Sequence, residues 1–268
     1  MKNVTLGQYI PLDSFFHRLD PRSKICAMMA LLIAVFIPTG WWGYLIIGTI
    51  VIFCVLVSKL QLDFIFKAMK PMLTMLLFLG IINILVIKTG DLWLSFGPIN
   101  IYSDAVIQTL YIIVRLMMMI MITTLLTATT KPMDMTLGIE DLLLPLEKLK
   151  VPTHDIAMMI SLALRFIPTL IEEADRILKA QASRGVDLEN GSLKEKISAV
   201  LSLIVPMFVS CFQRADDLAD AMEARGYVVG AQRVRYKTLK FKFGDYVVII
   251  VANILLGLMI YIAVRMSK

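Results

Sequence analysis

Residues 105–128 read AVIQTLYIIVRLMMMIMITTLLTA. Arg115 is the only formal charge in that run. A helix needs ~20 mostly apolar residues to cross the hydrocarbon core of a bilayer, and this stretch supplies them. Three further runs, about 41–57, 71–87 and 246–264, have the same character. A fifth, about 24–38, reads KICAMMALLIAVFIP and is short for a full crossing. The expected fold is therefore all-α: a polytopic membrane protein with about five transmembrane helices.

Composition agrees. The chain is 58% hydrophobic and 18% charged, with a mean hydropathy of +0.78. Soluble domains are about 45–50% apolar and about 25% charged. The net charge of +6 sits beside apolar runs, so the positive-inside rule and anionic lipid headgroups explain it. No zinc-finger, RNP or helix-turn-helix pattern points to nucleic acid. Cys26, Cys54 and Cys211 lie singly in apolar stretches, and His17 and His154 stand apart; no metal site is expected. Residues 1–20 do not read as a signal peptide, so the first apolar run is expected to be retained.

Lys and Arg placement sets the expected orientation. Arg18, Arg22 and Lys24 precede the first run, and Lys59, Lys67 and Lys70 follow the second. The link at Thr39–Gly40 has no basic residue, and that from Lys88 to Asp104 has one. The N-terminus and the long region after the fourth run are expected in the cytoplasm. Five crossings place the C-terminus outside, against the pull of Arg265 and Lys268. The expected organisation is 1–128, a membrane region of four spans; 129–243, a cytoplasmic region of long amphipathic helices; and 244–268, a C-terminal span.

The middle region is periodic but charged. One stripe runs Ile156, Ile160, Ala163, Ile167, Leu170, Ala174, Ile177, Gln181; another runs Leu193, Ile197, Val200, Ile204, Phe208, Cys211, Ala215, Ala219, Met222. Each is one face of an amphipathic helix. Glu172, Glu173, Arg176, Lys179 and Asp217, Asp220, Glu223 occupy the other faces. Asp187, Asn190 and Gly191 mark a turn between the two helices. A shorter helix is expected over about 132–149, and Arg233, Arg235, Lys237, Lys240 and Lys242 form a basic stretch before the last span.

Both long helices end in the same words. Residues 174–185 read ADRILKAQASRG and 215–226 read ADDLADAMEARG. The matched pairs are Asp175/Asp216, Ala180/Ala221, Arg184/Arg225 and Gly185/Gly226, with Ala182, Ser183, Glu223 and Ala224 beside them. Gly past a helix end accepts the left-handed conformation, and Arg in a last turn complements the helix dipole. A plain pair of caps and a paired docking device both account for the repeat. Docking would use the fixed charge and forked donors of guanidinium, with small residues allowing close approach.

The paired A-R-G ends resemble those of the T component of energy-coupling factor (ECF) transporters, the CbiQ-type transmembrane proteins. Leu19-Asp20-Pro21-Arg22-Ser23-Lys24 is similar to that family's opening L-D-P-R-x-K, and Asp20 also reads as an N-cap with Pro21 at N1. Leu164-Arg165-Phe166-Ile167-Pro168 and Glu172-Glu173 precede the first repeat as in that family. Ser183 stands where Ala is frequent. The resemblance implies a non-catalytic scaffold joining two ABC-type ATPase subunits to a membrane-embedded substrate-binding S component, for uptake of vitamins or other micronutrients across a prokaryotic plasma membrane. It implies that Arg184 and Arg225 insert into grooves on the ATPases. ATP-Mg is then the partners' cofactor; no G-x4-G-K-[S/T] loop is present here, and none is expected to be bound by this chain.

Arg115 reads as a structural tie from the fourth span to the long amphipathic helices, and Asn83 as an interhelical hydrogen-bonding residue. The methionine run Met117–Met119 reads as filler. The alternative, a stand-alone secondary carrier or channel, would show charges along a path or matched broken helices; the repeat here is outside the expected spans.

Overall fold

A computed structural model describes residues 9–96, 99–145, 153–186, 192–228 and 239–266. The helices are α1 (Phe15–Arg18), α2 (Pro21–Phe36), α3 (Gly40–Ser58), α4 (Leu62–Val86), α5 (Ser103–Thr129), α6 (Pro132–Leu143), α7 (Thr153–Ser183), α8 (Leu193–Ala224) and α9 (Phe243–Met266). Between α4 and α5, β1 (Leu92–Phe96) and β2 (Ile99–Tyr102) form a small antiparallel hairpin. The chain divides into two compact units, residues 1–142 with 239–268, and residues 143–238.

In the first unit α2 packs on α9, α5 and α3, while α4 and α3 both pack on α5. Val35, Ile47, Val51, Ile122 and Met259 are fully buried at its centre. Ala27 and Ala30 of α2 meet Ala252 of α9; small side chains let helices approach closely where burying apolar surface from lipid gains nothing. Phe53, Leu56, Leu77, Phe78 and Val86 point outward, as lipid-facing residues do.

The opening L-D-P-R-S-K is more than a helix start. Asp20 caps α2 by accepting from the Arg22 N–H at 2.9 Å, with Pro21 at N1. Asp245, fully buried, accepts from the Asp20 N–H (2.7 Å), the Ser23 hydroxyl (2.8 Å) and the Lys242 N–H (2.7 Å). Arg22 pairs with Asp20 at 3.1 Å and with Asp141 of α6 at 3.3 Å, and lies 4.2 Å over the Phe241 ring. Lys24 Nζ donates to the Thr129 carbonyl at 3.0 Å. One short segment thus joins the ends of α2, α5, α6 and α9.

Several expectations change. Among the described residues six helices are long and apolar enough to cross a membrane, against about five expected: α3, most of α4 (Asp63–Val86), α5, α7, most of α8 (Lys194–Ala224) and α9. Helix α2 is too short to count, at 16 residues. Helices α7 and α8 qualify because each holds a long apolar stretch, 156–171 broken only by Arg165 and 197–213 without a charge, and most of their charges follow it. Helix α4 begins at Leu62, and Pro71 lies inside it, where it removes one i→i−4 backbone hydrogen bond. The 88–104 link carries the hairpin. Helix α6 ends at Leu143 and Leu144–Pro145 form a 3-10 turn; residues 146–149 of the expected helix lie outside the described residues, as do the turn residues 187–191 and Arg233, Arg235 and Lys237.

Candidate functional site

The two R-G ends are the same structure built twice. At the end of α7, the Val186 N–H donates to the Gln181 carbonyl at 3.0 Å and the Gly185 N–H to Ala182 at 3.0 Å. At the end of α8, the Tyr227 N–H donates to Met222 at 2.9 Å and the Gly226 N–H to Glu223 at 2.8 Å. These are paired six-to-one and five-to-two bonds, the Schellman arrangement that satisfies the last carbonyls of a helix. It needs a left-handed residue at the second-last position: φ is +84° at Gly185 and +73° at Gly226. An added Cβ would meet nothing within 4 Å at either, so backbone conformation rather than space calls for glycine.

Arg184 and Arg225 occupy the residue before each glycine and are exposed. Neither guanidinium forms an ion pair among the described residues. Ala182, Ser183, Ala180, Ala221, Glu223, Ala224 and Asp216 are exposed beside them, and Asp175 is half-buried. Each tip therefore presents a forked cation, small neighbours and a bare helix end. This composition can grip carboxylates or carbonyls in a partner groove; it holds no nucleophile-and-base pair.

The pairing of α7 with α8 sets the tips apart. Arg214 Nη2 meets Glu173 Oε2 at 2.9 Å, and Gln181 Nε2 donates to the Ser202 carbonyl at 3.3 Å. The contacts run in opposite chain order, so the helices pass antiparallel and their C-terminal tips point to opposite ends of the pair. At 1.5 Å rise per residue the tips are roughly 30 Å apart. Ser192 and Glu195 cap the start of α8 reciprocally, and the Ser-x-x-Glu spacing was a visible signal for that start. The Glu173–Arg214 brace had no such signal, because nothing local pairs residues on different helices.

Within the first unit Arg115 donates from Nε and Nη2 to the Tyr44 hydroxyl, at 2.9 and 2.7 Å. Its hydrogen bonds tie α5 to α3 through a phenol, where a tie to the long amphipathic helices was expected. Asn83 is half-buried and makes no side-chain bond to another helix among the described residues.

The pattern of the CbiQ family, described as cobalt transport protein, matches residues 13–236. The energy-coupling factor transporter transmembrane protein EcfT of Macrococcus caseolyticus (strain JCSC5402) is 45% identical over 246 residues, 91% of this chain and 92% of that protein. The EcfT protein of Bacillus subtilis (strain 168) is 40% identical over 262 residues, 98% of this chain and 99% of the relative. That of Lactococcus lactis subsp. cremoris (strain MG1363) is 40% identical over 250 residues, 93% and 94% of the two chains.

Proposed function

The chain belongs to the CbiQ family of ECF-transporter transmembrane proteins, and from that premise we propose that it couples two cytosolic ABC-type ATPases to a substrate-binding S component. It is a multi-pass prokaryotic membrane protein with a scaffold role in transport. In this reading it is not an enzyme: ATP-Mg is bound and hydrolysed by the partners. Arg184 and Arg225 seat the α7 and α8 tips in one groove on each ATPase. ATP-driven approach of the two ATPases then moves α7 and α8 together, because the Glu173–Arg214 pair braces them. The S component reorients in response and releases its vitamin or other micronutrient inside. The N-terminus and the 129–243 region lie in the cytoplasm.

One observation carries this reading: two exposed arginines on matching Schellman ends, held roughly 30 Å apart by an antiparallel helix pair. Caps that served only their own helices would have no reason to repeat the upstream Ala-Asp and Ala as well. The test is co-purification from detergent-solubilised native membranes, comparing the unaltered chain with Arg184→Glu/Arg225→Glu. The unaltered chain should bring down ABC-type ATPases, and the double variant should lose them while staying in the membrane. Equal recovery of ATPases with both would reduce the arginines to helix caps. No ATPase with the unaltered chain would remove the coupling role.

A further inference from the structure

By sequence Arg115 stands in the middle of α5, but its charged head does not. Its two hydrogen bonds end on Tyr44, only four residues past Gly40 at the start of α3, or about 6 Å along that helix. Side chains on a helix lean toward its N-terminus, and α5 leads in from the same end as the α2–α3 turn. The guanidinium thus reaches the interfacial level of that turn. Aromatic rings surround this level. Phe36 at the end of α2 and the Tyr44 ring lie 6.0 and 5.9 Å from the guanidinium carbon, and Trp41 packs on Tyr111 with ring centres 4.6 Å apart. Next to Tyr44 is an open cleft of about 320 Å³, walled by Trp41, Trp42, Tyr44, Leu45 and Val114.

The charge is underused. A guanidinium carries five N–H donors; here both bonds meet one neutral phenol oxygen, and no carboxylate among the described residues pairs with it. A long cationic side chain snorkels to the edge of a bilayer, and there the phosphates of lipid headgroups are anions within its reach. Trp41 and Trp42 are 45% and 73% exposed, at the depth where tryptophan rings meet lipid glycerol and headgroups. We propose that Arg115, with Tyr44, Trp41 and Trp42, binds the phosphate of a phospholipid in the leaflet at the α2–α3 turn. The forked guanidinium takes the phosphate oxygens, Tyr44 fixes its orientation, the Trp rings cover the glycerol level, and Leu45 and Val114 carry the start of an acyl chain. This site is independent of the α7 and α8 tips.

The experiment is native mass spectrometry of the full chain with its co-purifying partners, in detergent with added palmitoyl-oleoyl phosphatidylglycerol. Arg115→Met should weaken retention of the lipid about tenfold, and Arg115→Lys by less, since ammonium still binds phosphate as a point charge. Trp42→Ala alters an exposed side chain, so it should stay folded and still lower retention; it keeps the test decisive if Arg115→Met does not fold. Inorganic phosphate in excess should not displace the lipid, and palmitoyl-oleoyl glycerol, which lacks the phosphate, should not be retained. Undiminished retention in Trp42→Ala and in any Arg115 variant that folds would overturn the site. So would displacement by inorganic phosphate, which marks a free-anion site, or equal retention of the phosphate-free lipid, which marks an apolar cleft alone. Loss of a co-purifying membrane protein from Arg115→Met, with lipid retention unchanged, would assign the charge to a partner's carboxylate and overturn it too.

Discussion

Arg22 and Arg225 both stand beside helix ends, yet they do opposite things. Arg22 is folded into the first unit: its side chain is only 18% exposed, held by Asp20 and Asp141 and covered by Phe241. Arg225, like Arg184, is exposed and forms no ion pair among the described residues. Both settings also contain an acid in the neighbourhood, so residue type alone does not separate them. What separates them is satisfaction. The hub around Asp20 and Asp245 closes its hydrogen bonds internally, as buried polar groups must, while each tip completes its backbone bonds and leaves its cation available. A fold stabiliser and a docking residue differ in whether the chain itself supplies the partner.

The sharpest way to break this contrast is Asp245→Ala. It leaves the Asp20 and Lys242 N–H groups without their acceptor, while the Ser23 hydroxyl keeps the Asp20 carbonyl at 2.7 Å, and should destabilise the first unit by about 3 kcal/mol. Thermal unfolding of the purified protein in detergent reads this; a loss under about 1 kcal/mol would mean water replaces the carboxylate. Arg22→Gln should cost about 2–3 kcal/mol, since it removes the cation paired with Asp20 and Asp141 in a mostly buried site. Arg225→Gln should stay within about 0.5 kcal/mol, and its effect should appear in ATPase recovery instead. Equal stability losses would erase the distinction. Between these lies Gly226→Ala, which forces a Cβ into a left-handed residue and should cost about 1–2 kcal/mol, loosening the α8 tip without touching its charge. Fraying of that tip can be followed by hydrogen exchange at Gly226 and Tyr227.

The smallest effect is a pH slope in the N-terminal arm. His17 accepts or donates at Ser14 Oγ (2.7 Å) and the Ile10 carbonyl (3.0 Å). Burial, the largest influence, holds its pKa below the ordinary 6.5. The unfolded chain then takes up a proton that the folded arm resists. This contribution to stability is complete above the unfolded value of 6.5 and is lost as pH falls below it toward the folded value. Unfolding temperatures measured at about pH 8 and about pH 5.5 should converge more for His17→Gln than for the unaltered chain; parallel curves would show that His17 titrates as if free.

Much of this was legible locally. The apolar runs, the Asp20–Pro21 start of α2, the amphipathic stripes and the doubled A-R-G ends are all set by neighbours within a few residues. The bonds at Gly185 and Gly226 follow from the same local rules, because a C-terminal cap closes within six residues. The span count was harder to read. Helices α7 and α8 combine an apolar half with a charged half, so length and hydropathy favour crossing while charge favours water, and no local pattern decides between them.

By itself, then, the sequence determined that the chain is helical and membrane-bound, where its long helices end, and that two of those ends match. Only the tertiary structure decided which polar residues were already satisfied. Asp245 meets Asp20 across 225 residues of chain, Arg115 meets Tyr44 across 71, and Arg214 meets Glu173 across 41. Helix caps and periodicity are short-range and readable from neighbours. The partner of a buried charge is chosen by how helices distant in sequence pack, and that choice left Arg22 enclosed, Arg184 and Arg225 open, and Arg115 with a phenol where a cation calls for an anion.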